Sequence, residues 1–443
     1  NPNTHQFNGP HVEILPNGPS HSGFGDMKFL NNKLIVSHGG KNGSWNNLNN
    51  TQEISIYENH TFSHTEVLES LGFYDAIPIA INPNNNSFFV GTWNSGLLEF
   101  ENHDLLAVYN QDNSSLQNIT KDGWVRIGGC CFDYQNILWV TNPEAEKPIS
   151  AFNGKSWLNY NVSTIGTNVM SGKVLCTQGG QKWIQLRNDG IVVLQNSKDG
   201  LEEKKITSSI SNGNLPSSTI NCFTEDLDGA VWIGSSNGAG VFHFPNNIFS
   251  DNNFDCETPL IEVDGYVERL LYNTNVLDVD VDGGNRKWFA TEGKGVFLMS
   301  ENGTKQVYHF TAENSPLLSN TVYGIEIDSK SGKVFFATKI GLCSFRSDAT
   351  SSEQSFQNVL IFPNPVYHNY DGLISISGLT DNTNVKITDV SGNLVFEVYS
   401  EGGTASWDGR SFSGDRVQTG VYLFFCTNNS FDESVVKKVL IYN

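Results

Sequence analysis

The sequence predicts an all-β chain: a seven-bladed β-propeller over residues 1–350, a linker at 351–358 and an immunoglobulin-like β-sandwich over 359–443. Two observations carry this. In the first part a strand–turn–strand frame recurs around a large aromatic, with anchors Phe89, Trp139, Trp183, Trp232, Trp288 and Phe335 spaced 44 to 56 residues apart. A repeat of about 45 residues holding three or four strands has the length of one propeller blade. In the second part short alternating apolar runs stop at Ser-Gly, Gly-Gly, Asp-Gly or Thr-Gly, the spacing of a small antiparallel sandwich.

The frames run in order. A degenerate first copy is FLNNKLIVSHGG at Phe29–Gly40. The second spans Asn82–Phe100, the third Phe132–Asn142 and the fourth Gly179–Leu194. The fifth spans Asp226–Phe244, the sixth Val281–Leu298 and the seventh Ile327–Phe345. In each, the aromatic sits mid-blade, where it can pack on the next blade, and glycines supply the turns. Blade seven shows three strands only. Val12–Leu15, which precedes blade one without a frame of its own, is expected to supply its fourth strand and so close the ring without an open edge. The segment Ser347–Gln357 is polar and unpatterned, which marks the boundary and predicts some relative motion of the two parts. In the tail, Val385, Ile387 and Val390, then Val421, Leu423 and Phe425, read as the alternating apolar sets.

The net charge is −20, of which −4 falls on residues 359–443 and −16 on the rest. Such a body repels phosphate backbones, so nucleic acid is not an expected partner, and any anionic ligand needs a local basic pocket. The seven cysteines show neither CxxC nor zinc spacing and read mostly as small buried hydrophobes, with adjacent Cys130 and Cys131 a poor pair for each other. No apolar run is long enough for a membrane helix. The start, NPNTHQFNGP, is polar rather than a leader, so the chain reads as a mature form or a portion of something longer.

No catalytic constellation emerges, and the chain is not expected to be an enzyme. Gly234-Ser235-Ser236-Asn237-Gly238 fits G-x-S-x-G, but it sits in a blade frame where a turn leads to another strand, not to the helix a nucleophile elbow needs. No cofactor is expected. The one weak metal candidate is calcium at Asp278, Asp280 and Asp282, alternate carboxylates before a glycine, although Phe289 stands where a calcium loop carries glutamate. His60 and His64 lie in a strand-like segment and share no helical face. What remains is a binding face. Loops joining second and third strands gather on one side of a propeller. Trp45 in the blade-one loop Gly39–Glu53, Trp93 in blade two, and Arg187, Lys294 and Lys339 in blades four, six and seven fall in such loops. Aromatics with a few cations suit a glycan bearing acidic groups; packing of Trp93 beneath its own loop is the alternative.

The tail carries Pro363-Asn364-Pro365 at its entry, Gly392 in Val-Ser-Gly-Asn, Gly420 and Tyr422 in Thr-Gly-Val-Tyr, and Lys437-Lys438 before Val439. It resembles the C-terminal sorting domain of proteins exported by the type IX secretion system of Bacteroidetes. The blade frames resemble two-component regulator propeller repeats. Glu313–Phe345 taken with the tail resembles the PorZ-type family, surface components of the type IX attachment complex. That resemblance implies an exported protein on the outer face of the outer membrane. It also implies other attachment-complex proteins and anionic lipopolysaccharide as partners, and no sortase activity. Members of that family usually carry two propellers, so this chain resembles their C-terminal half. A type IX passenger whose propeller binds its own glycan or protein is the alternative, and an enzyme or sensor ectodomain the third.

Overall fold

The computed structural model describes residues 18–442 apart from 20, 22, 52, 67, 120–122, 199, 251–253 and 264. Val12–Leu15 therefore lies outside the described residues. Seven antiparallel sheets stand around one axis. Their first strands, Met27–Leu30, Ala76–Ile81, Gly129–Phe132, Ser171–Cys176, Ile220–Glu225, Val276–Val281 and Val322–Asp328, line it. Each packs on the next, and Val322–Asp328 packs on Met27–Leu30, so the ring closes. At that closing seam Lys28 Nζ meets Glu326 Oε2 at 3.0 Å, and Phe29 N donates to Glu326 Oε1 at 2.8 Å. Among the described residues, blades one to four and six have four strands, and blades five and seven have three. A separate hairpin, Leu260–Val263 with Tyr266–Arg269, follows blade five and was not part of the expected frame.

The core is distributed. Seven apolar clusters each span one seam between neighbouring blades. The mid-blade aromatics provide their mass: Trp183 packs with Ile220 and Ile233 of blade five, and Trp288 with Ile325 and Phe336 of blade seven. Such side chains each bury roughly 150–250 Å².

Each buried indole needs an acceptor, and the turn between first and second strands supplies it. Trp139, Trp232 and Trp288 donate from Nε1 to Asp133, Asp226 and Asp282 at 2.7, 2.8 and 2.9 Å. These carboxylates are themselves buried and take a cation. Lys182 of blade four reaches Asp133 of blade three at 3.3 Å, and Lys287 of blade six reaches Asp226 of blade five at 3.0 Å. The pattern fails consistently. Blade four has Thr177 where its neighbours have aspartate, so Trp183 turns to Gln181 Oε1 at 3.1 Å, and blade five has Val231 where the lysine would be. Blade seven also lacks the lysine, having Val334, and Asp282 takes Arg286 from its own turn, Nε to Oδ2 at 3.0 Å.

Cysteine departs from the expectation. Cys130, Cys222, Cys256 and Cys426 are buried and free, but Cys131 and Cys176 form a disulfide between the first strands of blades three and four, 45 residues apart. Strand alternation turns Cys130 and Cys131 to opposite faces, so only one can meet blade four. Replacing both bonded cysteines by serine is expected to lower stability by about 2–4 kcal/mol, read as a fall in urea midpoint, with a steeper slope because the unfolded chain is no longer cross-linked.

His38 is fully buried in blade one. Its Nδ1 lies 2.7 Å from Gly23 O and its Nε2 2.7 Å from Ser55 Oγ. A neutral ring satisfies both, donating to the carbonyl and accepting from the hydroxyl. Burial lowers its pKa to about 4, against the opposing bond to Gly23. The unfolded chain then binds the proton first, so stability present above pH ~6.5 is lost as pH falls towards 4, by about 3 kcal/mol. Denaturant melts across that window should show the slope, and His38→Gln should flatten it.

In the tail, Leu360–Phe362, Ile374–Ser377 and Thr404–Trp407 form one sheet. Leu394–Tyr399, Asn384–Thr388, Gly420–Thr427 and Ser434–Ile441 form the other. Trp407, Ile376, Ile387 and Phe424 pack between them. Val385 and Ile387 face inward as expected, but Val390 is exposed. In Gly420–Thr427 the inward set is Tyr422, Phe424 and Cys426, one residue out of phase with Val421, Leu423 and Phe425. That run is apolar in both phases, and the bond from Tyr422 Oη to Gln418 O at 2.9 Å accompanies the inward choice.

The junction is anchored rather than free. Ser351 N donates to Ser329 O, Gly403 N to Thr350 O and Glu353 N to Leu379 O, at 2.6, 2.8 and 2.8 Å. Phe356 is part of the sandwich core. Gly283 meets Thr350 and Gly402 so closely that an added Cβ would stand 2.1 Å from the Thr350 backbone. Arg286 sits at the centre, its Nη2 2.9 Å from Ser347 Oγ and 2.7 Å from Asp348 Oδ1, and its Nε 3.9 Å from Glu401 Oε2.

Candidate binding face at the propeller mouth

The strand 2–3 loops do gather on one face, and the blade-one loop dominates it. The Asp75 carboxylate fastens this loop by accepting from the backbone N–H of Leu48, Asn49 and Asn50, each at 2.9 Å. Asn42 turns the tip, accepting from Ser44 N and Asn46 N, and Trp45 takes a positive φ of 62° there. So shaped, the loop reaches across the mouth. The six-membered edge of Trp45 stands 2.7 Å from where a Cβ on Gly172, in blade four, would lie, so the close approach needs glycine there.

Trp93 is not an exposed contact residue. It is fully buried beneath the blade-one loop, its Nε1 donating to Trp45 O at 3.1 Å and its ring edge-on to Trp45 with centroids 6.3 Å apart. It is the floor of the mouth, and the covering loop belongs to blade one rather than to its own blade. Trp45 remains partly exposed.

Cations surround this pair. Lys41 Nζ lies 3.1 Å from the Trp45 centroid and 5.0 Å from that of Trp93. The Arg126 guanidinium carbon lies 5.4 Å from Trp93. Arg126 pairs with Glu144, and its Nη2 donates to Asn47 Oδ1 at 3.2 Å. Burial, then Lys173 and Arg187, push the Lys41 ammonium well below its ordinary range. Lys173, further down the channel, has Asp278 at 3.3 Å. Lys41 and Arg187 have no ion-pair partner among the described residues.

Of the expected face, the structure thus unites Trp45, Trp93 and Arg187. Lys294 and Lys339 are exposed on blades six and seven, outside this group, and Lys294 Nζ is engaged by Thr274 Oγ1 at 2.8 Å. Lys41, Asn47, Arg126 and Ser171 were not singled out from sequence. GGKNGSW, a glycine-rich turn with a lysine beside a tryptophan, was the available signal for the first. Two other recesses, of about 870 and 500 Å³, flank the junction with polar linings. The first carries Lys330 and Arg346 together with Asp348 and Glu353, and the second Arg286 and Lys305 together with Asp228, Glu301, Asp381 and Glu401, so both mix cations with carboxylates.

The remaining candidates resolve locally. Ser236 lies between the strands Val231–Ser235 and Gly238–Phe242, bonded to Ser217 Oγ at 2.8 Å, with no helix following. Asp278 and Asp280 face the channel. Asp282 is turned away, its Oδ1 accepting from Gly284 N and Arg286 N and its Oδ2 from Arg286 and Trp288. The three do not share a centre, and no group of three or more His, Cys, Asp or Glu converges for a metal among the described residues. Asp280 is raised by burial and then by Glu326, against Lys28.

In the tail, Asn364 links entry to exit: its Nδ2 donates to Lys438 O at 3.0 Å and its Oδ1 accepts from Leu440 N at 3.2 Å. Pro363 and Pro365 flank it, each after a cis bond. Gly392 turns at φ 87° over the Asp389 carboxylate, which accepts from Ser391 N and Asn393 N. Gly420 opens the strand that holds Tyr422, and Lys437 and Lys438 lie on the last strand.

Residues 360–442 match the family model for the secretion system C-terminal sorting domain. No curated protein matches the chain. Among solved structures, the chain is similar to PorZ of Porphyromonas gingivalis, described as an essential surface component of the type IX secretion system. Identity is 25% and the TM-score 0.75, over 98% of this chain and 61% of that one. This chain therefore spans less than two thirds of that protein's length. The fold is shared at 12% identity and a TM-score of 0.52 with the extracellular domain of a protein described as a hybrid two-component system of B. thetaiotaomicron, over 95% of this chain and 57% of that one. It is shared at 13% and 0.51 with YCF48 of Cyanidioschyzon merolae, over 75% and 97%. No helix is long and apolar enough to cross a membrane among the described residues. A PorZ-like propeller joined to a secretion-system sorting tail marks the chain as an exported, surface-associated protein of the type IX route.

Proposed function

We propose that the chain is a non-enzymatic component of the type IX attachment complex at the outer face of the outer membrane, where it binds or delivers anionic lipopolysaccharide for anchoring secreted cargo. The observation that carries this reading is the likeness to PorZ along nearly the whole chain, propeller and tail together. The other attachment-complex proteins are its partners. The tail stays joined: its first residues are built into the turns of the propeller and Arg286 is buried between the two parts, which favours a working domain over a removable label.

Deletion of the gene is the test. Many secreted proteins should lose surface attachment together. Loss of one phenotype with cargo attachment intact would instead favour a passenger. Mass spectrometry of the surface-bound protein should recover peptides from Ser434–Ile441.

A further inference from the structure

Native proteins leave few buried polar groups without a partner. Five such side-chain atoms occur among the described residues, and four lie at the mouth: Asn47 Nδ2, Arg126 Nε, Ser171 Oγ and Arg187 Nε. They stand beside Lys41 and Arg187, which lack a carboxylate. The group is rich in donors. Ammonium and guanidinium only donate, the Asn47 amide oxygen is occupied by Arg126, and its NH₂ is left free. A chain of net charge −20 has here gathered cations that carboxylates elsewhere could have paired.

We propose that the mouth beneath Trp45 is an oxyanion site that takes a phosphate or carboxylate group carried by a sugar. Lys41 and Arg187 supply the charge, and Ser171 and Asn47 supply neutral hydrogen bonds. Charge-assisted bonds of this kind are shorter and stronger than neutral ones. Arg126 is a positioning residue: by donating to Asn47 Oδ1 it aims the amide NH₂ away from itself. The proposal rests on the reading of the propeller face as a glycan-binding surface only for the sugar. The anion follows from the donors.

The test is calorimetric titration of the full chain, at low ionic strength, with glucose 6-phosphate, glucuronic acid and glucose. One or both anionic sugars should bind and glucose should not; the tighter of the two identifies the oxyanion. Lys41→Ala and Arg187→Ala should each weaken binding at least tenfold, and Lys41→Arg should retain it. Lys294→Ala and Lys339→Ala should leave it unchanged. Lys41→Ala removes a cation without a carboxylate partner but also its contacts with the Trp45 and Trp93 rings. The unliganded melting point and far-UV circular dichroism of each variant are therefore recorded beside the titration, and only a variant that remains folded at the titration temperature counts as lost binding. Failure of both anionic sugars to bind, equal binding of glucose, or parent-like affinity in both alanine variants overturns the site. A parallel arm captures purified lipopolysaccharide. Capture that survives in variants that have lost sugar binding upholds the site, places lipopolysaccharide elsewhere on the protein and leaves the surface role standing. Sugar binding without capture upholds the site and removes lipopolysaccharide as its ligand.

Discussion

Lys287→Ala is expected to destabilise the protein by about 3–5 kcal/mol, the cost of leaving one member of a buried ion pair alone. Lys287 and Asp226 are 0% and 5% exposed, so water cannot replace the missing partner. The ammonium also donates to Asn285 O at 2.5 Å and lies 5.1 Å from the Trp232 centroid, so blade six grips blade five through one point. Burial depresses the Lys287 pKa against the pull of Asp226, the sign that desolvation weighs heavily at this pair. Lys287→Met with Asp226→Asn should recover most of the loss, since an apolar side chain of similar volume can replace a buried ion pair at little cost. Urea melts of parent, single and double variants form the cycle. Additive losses would show that the two groups act independently.

Arg286→Ala should cost about 3 kcal/mol and also loosen the two parts from each other. The side chain is 5% exposed and joins Asp282 of the propeller to Asp348 of the junction and Glu401 of the tail. Burial works against the guanidinium, but those carboxylates outweigh it and raise its pKa. Its removal leaves Asp282 with the Trp288 N–H as its side-chain donor. Arg286→Lys should rescue little, because a single ammonium cannot reproduce the planar fork. Limited proteolysis reads the second effect: cleavage within residues 347–359 should appear in the variant while the parent resists. An intact junction with a lowered melting point would mean that Arg286 serves blade six alone.

The blades were legible because each repeats one chemical frame, and an aromatic recurring in that frame needs no knowledge of its neighbours. The inter-blade lysines were there to be read as well. Lys182 and Lys287 directly precede their tryptophans, and each occurs only where the previous blade has an aspartate in its turn. The disulfide was not legible, since nothing local says that Cys131 and Cys176 occupy facing positions of adjacent blades. For Trp93 the sequence leaves exposure and burial beneath its own loop both open, because the loop that covers it belongs to another blade. The tail register slipped because GVYLFFCT is apolar in both phases, and alternation alone cannot choose between them. Asp282 looked like a calcium ligand because a tight turn and a metal loop both place a carboxylate before glycine; the indole partner lies six residues on. Trp45 and Arg187 were legible as loop residues of the face, but Lys41 and Arg126 were not, for a topological reason: they come from different blades and meet only when the ring closes.

The seating of the tail has a directional consequence. Asp282 and Arg286 belong to the turn between first and second strands, whereas Trp45 and Arg187 belong to loops between second and third strands, and these emerge from opposite ends of the ring. The tail is thus a handle fixed to the back of the propeller. A machine that grips it also aims the protein, holding the cationic opening outward, away from whatever surface holds the tail.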